Sequence, residues 1–133
     1  MAPRWTLLLT TFLLVGCGRL TDPMPAAQAG SEMTPGPVFV DSTELLLRES
    51  FPVQVDLRVQ GALPTPCHHA VWSIRGPDAE GRLDVELHSE APAEPACVQV
   101  LQELDLTIPL GSYAEADLTV FLNGEEVGPV HLP

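Results

Sequence analysis

Between Val38 and the C-terminus, apolar and polar side chains alternate along most of the chain. The clearest stretch is "PVQVDLRVQG", where Val53, Val55, Leu57 and Val59 fall on one side and Gln54, Asp56, Arg58 and Gln60 on the other. A helix would scatter these residues around its circumference, whereas a half-buried strand sorts them into two faces. "RLDVELHSE" repeats the pattern with Leu83, Val85 and Leu87 inward and Asp84, Glu86 and His88 outward. "QELDLTIPL" does so with Leu104, Leu106 and Ile108. "ADLTVFLNG" buries Leu118, Val120 and Leu122 and ends in Asn123-Gly124, a dipeptide suited to the positive φ angles of a tight hairpin turn. "EEVGPVHLP" is the expected return strand, and its Pro129 marks a sheet edge. Upstream, "VFVDSTELLLRES" gives one strand or two short ones, with Phe51-Pro52 at the corner into the next. "CHHAVWSIR" gives another, with Ala70, Trp72 and Ile74 on its buried face. "GPDAEG" is a turn, and "APAEPA" (Ala91 to Ala96) is a loop that delivers Cys97.

These elements predict an all-β body over residues 38–133, an antiparallel immunoglobulin-like β-sandwich of about seven strands, with a small open barrel as the alternative closure. A buried Trp72 beside a cysteine pair fits the sandwich. Cys67 lies just ahead of that tryptophan on the same segment, so the Cys…Trp…Cys spacing of antibody domains is not met.

The front of the chain follows other rules. Residues 18–37, "GRLTDPMPAAQAGSEMTPGP", hold prolines at 23, 25, 35 and 37 and almost no large apolar side chain. Such a segment cannot bury enough surface to offset its ordering entropy, so residues 17–37 read as a disordered linker. Before it, Arg4 and the amino terminus supply positive charge, and Trp5 to Val15 is apolar apart from three threonines. As a helix rising ~1.5 Å per residue this run crosses only about half of a hydrocarbon core. It has instead the basic, apolar and small-residue order of a secretory signal over residues 1–16. "LVGC", Leu14 to Cys17, resembles the lipobox of bacterial lipoproteins. That resemblance implies cleavage before Cys17, lipid on its sulfur, acylation of the new amino terminus, and attachment to the extracytoplasmic side of a membrane of the cell envelope. Gly18, in place of an aspartate, would by the same resemblance permit outer-membrane sorting in a two-membrane cell.

Charge narrows the partners. There is no lysine, the arginines after Cys17 are Arg19, Arg48, Arg58, Arg75 and Arg82, and the formal net charge is −12. Such a surface repels phosphate backbones, so nucleic acid is not an expected partner. Anionic headgroups would repel it too, and retention at a membrane must come from the acyl chains. The remaining cysteines, Cys67 and Cys97, form an even pair suited to a disulfide in an oxidising compartment. A bridge there would stabilise by about 3–4 kcal/mol in the chain-entropy model.

The side chains that could carry chemistry are few. His68 and His69 are consecutive, so a strand points them to opposite faces; His88 lies on a polar face and His131 near the C-terminus. A copper or zinc site would need several of these four, or Cys67 and Cys97, to converge. Metal binding through the histidines is therefore the alternative reading, and no resident cofactor is expected. For a hydrolase, the second alternative, Ser112 in "PLGSYAE" lacks the strand-to-helix setting of a nucleophile elbow. Ser42, Ser73 and Ser89 have no neighbouring base in sequence. Asp84 and Glu86 share one side of a strand and could pair for acid–base work, as could the carboxylates of any solvated sheet face.

The runs "LPTPCHHAVWSI", "CVQVLQELDLTIPLGSY" and "LTVFLNGEEVG" together resemble small β-sandwich lipoproteins and secreted proteins of environmental bacteria, over about Val38 to Val130. That group implies the fold and no catalytic residues. The expectation is a lipid-anchored, non-catalytic binding or structural module of the envelope, in contact with the membrane and with a protein partner.

Overall fold

The segments read from period-two alternation form strands. In the computed structural model, which describes residues 32–93 and 96–133, eight strands follow in order: β1 Met33–Gly36, β2 Phe39–Arg48, β3 Val53–Leu63, β4 His69–Arg75, β5 Arg82–Pro92, β6 Gln102–Tyr113, β7 Ala116–Leu122 and β8 Glu125–Leu132. The described residues contain no helix. Cys17, the signal segment and most of the expected linker lie outside them.

The strands form two sheets packed as a sandwich. β2, β3 and β6 make the narrower one, in that order. The wider one is built around β5, which pairs with β4 along one edge. Its other edge is shared: β7 takes Arg82–Val85 and β1 takes Ser89–Pro92, with β8 outside β7. Between the sheets lie Val55, Leu57 and Val59 of β3, Leu83, Val85 and Leu87 of β5, Ile108 and Leu110 of β6, and Leu118, Val120 and Leu122 of β7, all buried. Fully burying such a side chain contributes roughly 1.5–3 kcal/mol, so these inward rows are the main stabilising element.

Four details depart from the sequence expectation. Met33–Gly36, assigned to the linker, is strand β1, because the outer edge of β5 beyond β7 offers unpaired backbone groups that four residues can satisfy. This adds an eighth strand. The β5–β7 pairing is parallel, whereas the other strand pairings are antiparallel. Ala91 and Pro92 end β5 and are not loop. Finally, Trp72 is 39% exposed. It shares the inward side of β4 with Ala70 and Ile74, which do pack on the core. But β4 is the outer strand of the wider sheet, and the three-stranded sheet, with β2 set against β8, does not reach across to cover it.

β6 carries a bulge where Leu110 has no partner between Pro109, opposite Asp56, and Gly111, opposite Val55. Gly111 has φ 132°, and a Cβ there would sit 2.9 Å from the Tyr113 hydroxyl, so glycine is needed for both backbone and space. The Tyr113 hydroxyl donates to the Leu110 carbonyl at 3.1 Å, satisfying the group the bulge leaves free. Burial pushes the Tyr113 phenol above its ordinary pKa.

Candidate functional site

Two regions gather polar side chains. The first is the end of the sandwich where β3 passes into β4 and β5 ends. Here Cys67 and Cys97 are joined by a disulfide, their Cα atoms 6.0 Å apart. The bond staples the β3–β4 turn to the segment that leads into β6. Within that turn Thr65 is buried, and its Oγ1 accepts from the Cys67 N–H at 3.3 Å. The same hydroxyl lies 2.8 Å from His68 Nδ1, to which it is free to donate its proton, and the His68 N–H donates to the Thr65 carbonyl at 3.1 Å. Thr65 thus closes the turn by the local side-chain-to-backbone bonding typical of Ser and Thr.

The His68 ring continues inward onto β1. A Cβ on Gly36 would meet His68 Nε2 at 2.9 Å and Ser89 Oγ at 3.0 Å, so only glycine lets the ring and the hydroxyl approach. Ser89, fully buried on β5, donates to the Pro37 carbonyl at 2.7 Å. Thr65, His68, Ser89 and Gly36 therefore knit β1 to the disulfide. Ser89 spends its proton on a backbone carbonyl, which is a structural use, and it does not act as a poised nucleophile. Beside this knot a shallow cleft of about 340 Å3 is lined by Thr34, Thr65, Cys67, His68, Cys97 and Gln99.

The second region is the outer face of β4 and β5. Cross-strand register sets His69 opposite Glu90, Val71 opposite His88, Ser73 opposite Glu86 and Arg75 opposite Asp84. His88 Nε2 lies 3.2 Å from Glu90 Oε1. Glu86 is paired with Arg75. Asp84 is gripped by Arg82 through Nε and Nη2, at 2.7 Å for the closest contact, and the Arg82 guanidinium lies 3.6 Å over the Phe121 ring. These hydrogen bonds from Arg82 hold the Asp84 carboxyl below the usual carboxylate range. A carboxyl so held is a poor general acid, and Asp84 and Glu86 are each taken up by an arginine, Arg82 and Arg75.

The four histidines do not meet. His69 and His88 share the outer face of the wider sheet, His68 turns into the β1 contact, and His131 pairs with Asp117 at 2.8 Å near the opposite end. Among the described residues, no group of three or more His, Cys, Asp or Glu side chains is placed to hold a metal ion. The alternative metal reading required that convergence. Cys17, the expected lipid site, lies outside the described residues.

One side chain has a role that residue type alone did not reveal. Asn123 adopts φ 51° in the β7–β8 turn, as expected for Asn-Gly. Its side chain also accepts from the Leu87 N–H at 2.8 Å and donates to the Leu87 carbonyl at 2.9 Å. Leu87 sits in the gap between β7 and β1 on the edge of β5, so the amide takes the place of one strand residue in the ladder. The Asn-Gly signal locates the turn, but the distant partner leaves no local trace.

Against known proteins, the model of the family described as ORF11 beta-sandwich domain matches residues 57–132, from the middle of β3 to the end of β8. No curated protein and no solved structure matches the chain.

Proposed function

This chain belongs to the ORF11 beta-sandwich domain family, and from that premise we propose that it is a non-catalytic, extracytoplasmic module held to a membrane of the cell envelope by acyl chains on Cys17. The carrying observation is the Cys67–Cys97 bond. With those two thiols consumed by each other, Cys17 is the remaining cysteine, and it stands where the "LVGC" sequence calls for lipid. A disulfide also belongs to an oxidising compartment, the side of the membrane to which a lipobox directs a protein. Among the described residues the arginines Arg48, Arg58, Arg75 and Arg82 are each engaged by a carboxylate, Asp56, Asp105, Glu86 and Asp84 in turn, an arrangement that favours a binding or structural module over a reactive site. Contact with a protein partner in the envelope is part of this reading.

Metabolic labelling of the full chain with a fatty-acid probe tests it. The exported protein should carry the label, Cys17→Ala should lose it, and Cys67→Ala/Cys97→Ala should keep it. An unlabelled exported protein, or label that persists in Cys17→Ala, overturns the anchor.

A further inference from the structure

Among the described residues, six of the nine large apolar side chains left in solvent lie at one end of the sandwich: Met33, Phe39, Val40, Val98, Val100 and Leu101. Strand register fixes that end. Met33 is opposite Pro92, Phe39 and Val40 are opposite Ala62 and Gly61, and Leu101 immediately precedes Gln102, which is opposite Leu63. Leu101 shares a groove with Asp41 and Gly61, which brings it beside the start of β2. The last three apolar residues are more than half exposed and follow the disulfide directly. Phe51 and Leu47, by contrast, mark the opposite end.

The apolar end is also where the chain enters the fold. The Glu32 carbonyl accepts from the Ala93 N–H at 3.0 Å, and β1 runs inward from there. Between Cys17 and Glu32 the chain can reach no more than about 50 Å even fully extended, at ~3.3–3.6 Å per residue. An acylated Cys17 therefore keeps this end within a few nanometres of the bilayer. Tethering turns a weak surface contact into an intramolecular one, for which modest apolar area suffices. Glu32, Asp41 and Glu103 lie within two residues of the patch along the chain, and Glu125 and Glu126 share a groove with Val40, so electrostatics does not drive the contact and disfavours anionic lipid.

We infer that this end of the sandwich, centred on Val98, Val100 and Leu101, rests on the zwitterionic surface of the membrane that carries the anchor. The inference rests on the reading of Cys17 as the point of attachment. It adds a fixed orientation: the disulfide end faces lipid, while the β4–β5 outer face and the Phe51 end stand clear for partners.

Hydrogen exchange on the exported full-chain product tests this. The protein is attached to phosphatidylcholine vesicles through its own acyl chains where the fatty-acid probe marks Cys17. Where it does not, it is attached through a maleimide lipid on the Cys17 thiol, so the surface is tested whichever way the acylation experiment falls. The amides of Val98–Leu101 should exchange roughly fivefold or more slowly on vesicles than in detergent-free solution. Val98→Ser/Val100→Ser/Leu101→Ser should lose that protection, and Phe51→Ser should keep it. Equal exchange on and off vesicles overturns the inference. So does protection that grows with protein concentration in the absence of lipid, which would assign the patch to a second copy of the chain.

Discussion

Asn123 shows how one side chain can be bound by two independent demands. Its backbone must enter the left-handed region, which asparagine tolerates better than other non-glycine residues, and its amide must satisfy both backbone groups of Leu87. Asn123→Gly keeps the turn and removes only the amide. It should lower stability by about 1–2 kcal/mol, read as a lower urea midpoint at unchanged slope. Asn123→Ala adds the strain of a left-handed Cβ and should cost roughly 1–2 kcal/mol more. A midpoint unchanged in Asn123→Gly would show that the Leu87 groups are satisfied without the side chain.

Elements differ in how much of their placement is local. β3, β5, β6 and β7 were legible because burial on one face imposes a two-residue period that survives in the sequence, and β8 because Asn123-Gly124 calls for a return strand. β1 was not, since "MTPG" has no such period and becomes a strand only because β5 has edge left over. The parallel sense of β5 and β7 was hidden for a related reason: alternation says which side of a strand is buried and nothing about its neighbour. Trp72 marks the limit of parity, which gave its side correctly but not whether the facing sheet extends far enough to cover it. In the candidate site the cysteine pair was readable from number and compartment, whereas the Thr65–His68–Gly36–Ser89 contacts join three segments, the β3–β4 turn, β1 and β5, that no short motif links. The disulfide closes a sequence separation of 30 residues. Cys67→Ala/Cys97→Ala should therefore destabilise by about 3–4 kcal/mol, seen in calorimetry as a lower Tm, with the same midpoint reached by reducing the native protein.

Across the molecule, a large excess of negative charge is met by few arginines, and two of them hold carboxylates that contribute to the response to acid. Arg58 donates to both oxygens of Asp105, at 2.9 and 2.5 Å, and Arg82 does likewise to Asp84. Hydrogen bonds from these partners lower the pKa of each carboxyl below its ordinary value. A group lowered in the folded state contributes its stability above the unfolded pKa, and that contribution is lost as pH falls through the folded one. Acid titration of the melting temperature should accordingly show a fall beginning near the ordinary aspartate range. Asp105→Asn should be less stable at neutral pH and show a shallower fall. An identical acid limb in the two proteins would count against the Arg58–Asp105 pair as its source.

The way the chain joins the wider sheet has a mechanical consequence. β1 holds β5 over only four residues, one of them a proline that has no N–H to give. Any tension pulling from ahead of Met33 arrives along that short strand as shear. It should be the first joint to part, while the sulfur bridge keeps β4 and β5 closed within their own covalent loop.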